Sequence, residues 1–255
     1  MSTIAETVAL FALERGPADG PTLVLLHHFG GSGQQWLPVI SRLEGRFRCV
    51  APDLRGFGRS RPGARPTVEA MADDLAVLTG RLPRFTLVGH SMGGKVALEF
   101  AARRPAGLER LVLVAPSPPT PEPIADTERA RLLASYGSRT EALRTNRRIV
   151  ARPLDESRLE SLVADNLRAS RQAWFGWLEV GSRQDLSLRA AFVSVPVLVL
   201  AGERDPVLPP ALLEREVVGR LEGARFVVAP GAGHLLPLEA PDAVCGAICG
   251  EGAVP

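Results

Sequence analysis

The chain has 255 residues, 45% hydrophobic and 23% charged, which fits one α/β domain with an insertion and is too short for two full domains. A formal charge of +2 gives no electrostatic reason to expect nucleic acid, and Lys95 is the only lysine. No stretch approaches the ~18 apolar residues of a membrane span and no basic-then-apolar leader opens the chain, so a cytoplasmic protein without a membrane span is expected.

The elements follow in order. Thr7–Glu14 is predicted as an opening strand or hairpin arm, and Gly16-Pro17 and Gly20-Pro21 punctuate the turn after it. Thr22–Leu26 is a continuous apolar run, as expected of a strand covered on both faces, and it stops at His27-His28-Phe29-Gly30-Gly31-Ser32. A helix over 34–43 leads to a strand at Phe47–Ala51, which ends in Pro52-Asp53-Leu54-Arg55-Gly56-Phe57-Gly58-Arg59-Ser60. There Asp53 is suited to accept the turn's own N–H groups. A helix from Thr67 to Leu78 is followed by the strand Phe85–Gly89, a sharp turn at His90-Ser91-Met92-Gly93-Gly94 and a helix through Val96, Ala97, Phe100 and Ala101.

Leu111–Ala115 is another short apolar strand, and the strand-helix rhythm implies a mostly parallel sheet with right-handed crossovers. The rhythm then breaks. From Pro116 to Val193 no core strand is predicted; arginine-rich helices with apolar positions at Leu132, Leu133, Leu143, Leu159, Leu162, Leu167, Trp174, Trp177 and Leu178 read as an inserted helical cap. Glu128, Glu141, Glu156, Glu160 and Asp165 are interleaved with the arginines as solvated ion-paired faces. The sheet resumes at Pro196–Ala201 and Arg225–Ala229 before a helix around 240–249. The division is therefore a core of 1–115 and 194–255 and a cap of 116–193. Cys245 and Cys249, four apart on that last helix, make a poor disulfide and have no metal-ligand company, so with Cys49 they are read as buried thiols.

The chemistry centres on Gly89-His90-Ser91-Met92-Gly93. A serine on a strand-to-helix corner is exposed at the strand's C-terminal edge, beside a helix N-terminus. It needs a base oriented by a carboxylate. His234, in the loop after the last strand, and Asp205, in Gly202-Glu203-Arg204-Asp205, end at the same edge; Glu203 competes with Asp205 for the acid role, whereas Pro116-Ser117 after the strand ending at Ala115 offers no carboxylate. The N–H groups of Met92 and Phe29 are the candidate donors to a developing oxyanion. His90 is expected to pack and hydrogen-bond, pointing away from Ser91.

These motifs together resemble the serine hydrolases of the α/β-hydrolase superfamily over nearly the whole chain, and the Gly-His-Ser-Met-Gly-Gly-Lys form of the elbow is similar to small cap-bearing carboxylesterases and enol-lactonases. The resemblance implies a twisted sheet with helices on both faces and a Ser91, His234, Asp205 triad acting without metal or organic cofactor on a small ester, lactone or thioester. Hydrolysis of carbon–carbon bonds in keto-acids, cofactor-free perhydrolysis or acyl transfer, and a non-catalytic ligand receptor are the alternatives. One departure stands out. The family usually has His-Gly where this chain has His27-His28, which puts His28 at a strained position expected to be left-handed, its ring either toward the pocket to hydrogen-bond a substrate oxygen or toward solvent or packed under the cap. Trp174 and Trp177 are the candidate substrate contacts from the cap, and a cap arginine is a candidate partner for a substrate carboxylate. Oligomeric state is not legible.

Overall fold

The computed structural model describes residues 6–250. Within them seven strands, β1 (Ala12–Arg15), β2 (Thr22–Leu26), β3 (Arg48–Pro52), β4 (Phe85–His90), β5 (Leu108–Val114), β6 (Val197–Gly202) and β7 (Arg225–Ala229), form one sheet in the order β1-β3-β2-β4-β5-β6-β7. All neighbouring pairs are parallel except β1 with β3. Side chains alternate across each strand, so the apolar runs fill two cores. Val24, Leu26, Leu87, Leu111, Leu113, Val197 and Val199 face one, and Leu23, Leu25, Val88, Val112, Val114, Leu198 and Leu200 face the other.

Helices α1 (Leu37–Leu43) and, near the C-terminus, Pro241–Cys249 cover the second face through Val39, Ile40, Val244 and Ile248. On the first face lie α2 (Val68–Thr79) and α3 (Met92–Ala102), through Met71, Leu75, Val96 and Phe100. The opening strand is shorter and later than predicted. It is an edge strand, antiparallel to β3, with Ala12 opposite Pro52. Just before it, the Phe11 carbonyl still accepts from Asp53 N–H past the end of β3, while the Phe11 N–H donates to Ser60 Oγ.

Between β5 and β6 the chain forms α4 (Asp126–Ala134), α5 (Arg139–Ile149), α6 (Glu156–Arg168), α7 (Arg171–Glu179) and a single turn, α8 (Ser187–Ala190). Ser138, Asp155 and Ser170 cap α5, α6 and α7 by accepting N–H bonds from Glu141, Arg158 and Ala173. Leu167 is solvent-facing rather than a packing position. Glu128, Glu141 and Glu160 pair with Arg131, Arg144 and Arg139 as expected. Asp165 does not: it is buried and accepts a 2.6 Å hydrogen bond from Ser32 Oγ, because its side of α6 packs on the loop after β2.

The chain closes with α9 (Pro210–Glu216), α10 (Leu236–Glu239) and α11, the Pro241–Cys249 helix. Helix α9 has no counterpart among the predicted elements. The cysteines are unbridged; Cys49 is buried, but Cys245 and Cys249 are only half-buried because α11 lies on the outside of its core.

Candidate active site

Because β2, β4, β6 and β7 are parallel and in register, the loops that follow them leave from one edge of the sheet. That edge is where open α/β sheets place their ligands. Ser91 stands there in a conformation few side chains adopt, φ 52° and ψ −119°, costing on the order of 1–3 kcal/mol. The surroundings enforce it. The Ser91 N–H donates to Val114 O at 3.1 Å and its own carbonyl accepts from Ser117 N–H at 2.9 Å. A Cβ at Gly93 would lie 2.7 Å from both the Leu26 and His27 carbonyl oxygens, so only glycine lets α3 start against the end of β2.

The structure brings the three predicted side chains together. His234 Nε2 accepts from Ser91 Oγ at 3.0 Å, and His234 Nδ1–H donates to Asp205 Oδ2 at 2.8 Å. The other oxygen of Asp205 accepts the N–H groups of Val207 and Leu208. Glu203, its competitor, instead accepts from Gly231 N–H on an exposed flank. His234 is buried, which by itself lowers its pKa, but the charge and hydrogen bond of Asp205, with Glu122 and Glu239 adding to them, raise it above the ordinary imidazole value.

The loop after β2 is fixed by a chain of imidazoles. His27 Nδ1–H donates to His28 O at 2.7 Å and its Nε2 accepts from Leu54 N–H at 2.9 Å. His90, beside the candidate nucleophile, points away from it as expected. Its Nε2–H donates to the His234 carbonyl at 2.8 Å, which leaves Nδ1 to accept from Gln35 Nε2 at 3.2 Å. Gln35 therefore turns its Oε1 toward His28 and accepts from both its N–H and its Nδ1–H. Burial pushes His28 down to about 3, so the ring is neutral, with a bare and unpartnered Nε2. Toward a substrate oxygen this nitrogen can act only as an acceptor, from a hydroxyl. His28 is not left-handed, contrary to expectation: in this loop the positive φ falls on Gly30, at 76°. Among the described residues, neither the Phe29 nor the Met92 N–H donates to a backbone acceptor. Asp53 holds its turn as expected, accepting from Gly33 and Arg59 N–H groups.

A cavity of about 440 Å³ opens over Ser91 and His234. Phe29 and Trp174, whose ring centroids are 4.5 Å apart, line one side, with Trp177 and Leu178 beyond them. His28 also lines it. Trp174 packs as well as lines, its indole N–H donating to Leu132 O. Arg148 is the one arginine in the wall, and Glu128 holds it.

Two carboxylates were not legible in the sequence. Glu239 accepts four backbone N–H groups, from Ala151, Arg152, Gly233 and Leu235, and the His234 N–H donates to Ile149 O. The histidine loop is thus fastened to the end of α5. Glu122 reaches the cavity from beyond the Pro116-Ser117 corner, where Ser117 Oγ donates to its Oε2 at 2.6 Å. A carboxylate eight residues past the end of β5 carries no local signal in the sequence.

The chain matches the alpha/beta hydrolase family over residues 23–247. It is 33% identical over an alignment of 261 positions, covering 91% of each chain, to a Caulobacter sp. (strain K31) protein provisionally named a carbamate hydrolase. To a pimeloyl-(acyl-carrier protein) methyl ester esterase of Pectobacterium atrosepticum it is 32% identical over 250 positions, covering 89% of this chain and 92% of that one. Among solved structures, a thermophilic esterase from Thermogutta terrifontis superposes with TM-score 0.78 at 31% identity, covering 95% of this chain and 92% of that one. An enol-lactonase from Burkholderia xenovorans LB400 shares the fold at TM-score 0.83 and 24% identity, over 96% of both chains. With a match running from β2 through β7 and the strand order that carries Ser91 to the sheet's edge, the chain belongs to the alpha/beta hydrolase family.

Proposed function

We propose that the chain is a serine hydrolase that cleaves a small ester, lactone or thioester through an acyl-enzyme on Ser91. The observation that carries this is the continuous hydrogen-bonded run from Asp205 through His234 to Ser91 Oγ at the floor of the cavity.

In this reading His234 Nε2 takes the Ser91 proton as Oγ attacks the substrate carbonyl, and Asp205 stabilises the imidazolium that forms. The oxyanion is met by the Phe29 and Met92 N–H groups, the second at the positive end of α3. Collapse expels the leaving group, which takes the proton from His234. Water, deprotonated by His234, then attacks the acyl carbonyl and frees the acid and Ser91. Residues 116–193 act as a cap, with Trp174 and Trp177 excluding water and bounding the substrate. No cofactor is needed by these steps. The unbridged cysteines support a reducing, cytoplasmic setting.

The test compares initial rates of wild type and Ser91→Ala on p-nitrophenyl esters of graded acyl length. Turnover of short esters by wild type, with a loss of at least about a thousandfold in the variant, is the expected result. Equal rates in the two proteins would remove the acyl-enzyme reading. The relatives provisionally named carbamate hydrolases favour carbamates as a second substrate class. The same array would attack their carbonyl, and an ammonia-release assay on simple carbamates separates the two.

A further inference from the structure

The electrostatic balance of the cavity wall bears on which substrates enter it. Its charged side chains are Glu122, Glu128 and Arg148. Glu128 is shared between Arg148 and Arg131, so its charge is met, and half-exposed Arg148 is turned onto Glu128. Glu122 differs. Its Oε2 accepts from Ser117 Oγ, while its Oε1 has no protein donor among the described residues.

The nearest ammonium, Lys95, is fully buried and spends its protons on the carbonyls of Thr120 and Gln184, at 3.0 and 2.6 Å, not on the carboxyl. Burial therefore raises the Glu122 pKa, against the Ser117 hydrogen bond and the more distant charges of Lys95, His234 and Arg129. A half-buried carboxyl with no cation in direct contact is only partly compensated, and a cation brought to its free oxygen adds the missing pair. It also stands close to the chemistry: Ser117, which holds Glu122, donates its backbone N–H to the carbonyl of Ser91.

We propose that Glu122 is a specificity-determining residue whose free oxygen binds a protonated amine on the non-scissile part of the substrate, so that the cavity favours amine-bearing esters and disfavours acidic ones. This rests on the reading of the cavity as the substrate site. The walls offer an amine a carboxyl with a free oxygen, whereas a substrate carboxylate would have to compete with Glu128 for Arg148. The same balance argues against keto-acid substrates and against a cap arginine holding a substrate carboxylate.

The experiment uses three esters of matched length: the ethyl ester of γ-aminobutyrate, ethyl valerate and monoethyl glutarate. Dimethylaminoethyl butyrate carries the amine on the alcohol side. Each is titrated by calorimetry at neutral pH into the Ser91→Ala protein, and into the same protein carrying Glu122→Gln or Glu122→Asp. At least one amine ester is expected to bind about tenfold or more tighter than ethyl valerate, with monoethyl glutarate weakest. That preference collapses in Glu122→Gln and returns in part in Glu122→Asp.

Equal affinities for all the esters, preference for the glutarate, or an amine preference that survives Glu122→Gln would each overturn the proposal. If the Glu122 variants do not fold, the ranking by charge in the protein with Glu122 intact decides it. Hydrolysis of ethyl valerate by wild type is measured alongside. Valerate turnover without amine preference sinks the Glu122 assignment and leaves the esterase reading standing; amine-selective binding without any turnover does the reverse.

Discussion

Replacing Glu239 by glutamine removes one charge and one acceptor from a carboxylate that holds four backbone N–H groups. Its Oε2 accepts from Ala151, Arg152 and Gly233 at 2.8, 3.0 and 2.9 Å, and its Oε1 from Leu235 at 2.9 Å. A glutamine with its oxygen at the Oε2 position keeps three of these bonds, but to a neutral acceptor, each weakened by about 1 kcal/mol. Its NH₂ then faces the Leu235 N–H, leaving a buried donor unpaired at about 1–3 kcal/mol. The expected loss of stability is about 4–6 kcal/mol, a large share of the ~5–15 kcal/mol that holds a typical domain. Urea unfolding at neutral pH measures it. Gly233 and Leu235 flank His234, so the reading also requires kcat/KM on a p-nitrophenyl ester to fall by about 10–100-fold in protein that remains folded. A variant within ~1 kcal/mol of wild type, with unchanged kcat/KM, would show that these four contacts neither stabilise the loop nor position the histidine.

Other outcomes follow from single sites. His234 must be neutral to act as a base, and its pKa is raised above the ordinary 6.5 because Asp205 outweighs the effect of burial; kcat/KM should fall with decreasing pH around a midpoint above 6.5, and a pH–rate profile with a lower midpoint would contradict this. Burial of Asp165 raises it to about 6 from 3.8, so the folded state binds the extra proton and the associated stability, present below pH ~4, is lost as pH rises through 6. Asp165→Asn should then stabilise the protein at pH 7 by up to about 3 kcal/mol, a gain that shrinks toward zero at acidic pH in parallel melting curves. Gly93→Ala must push a Cβ against two backbone carbonyls at 2.7 Å; a drop in stability of at least about 1–3 kcal/mol is expected, and an unchanged Tm would refute the close-approach argument.

The sheet and the serine, histidine and aspartate positions were legible for the same reason. Short apolar runs such as Leu23–Leu26 and Val197–Ala201, bounded by turn residues, fit strands covered on both faces, and parallel strands put their following loops on one edge, where Ser91, Asp205 and His234 meet. What escaped was whatever depends on partners distant in the chain. Glu239 looks like any helix-end acid until Ala151 and Arg152 arrive from beyond α5. Asp165 sits among arginines in sequence, yet its face of α6 meets Ser32. The left-handed step expected at His28 is taken two residues later by Gly30, and the proton state of its ring is set through Gln35 and His90, which its own stretch of sequence does not reveal.

The clustering of imidazoles has a spectroscopic consequence. The four histidines of the sequence, His27, His28, His90 and His234, are all buried within the same neighbourhood, and burial lowers the pKa of the first three. Nitrogen-bound ring protons, sheltered from exchange, resonate in a downfield window that few other groups enter. In this protein that window reports on the candidate site alone, without any selective labelling. Across the range where His234 gains its proton, one ring signal should titrate against three that stay fixed, so a bound ligand could be followed by which of the four it disturbs.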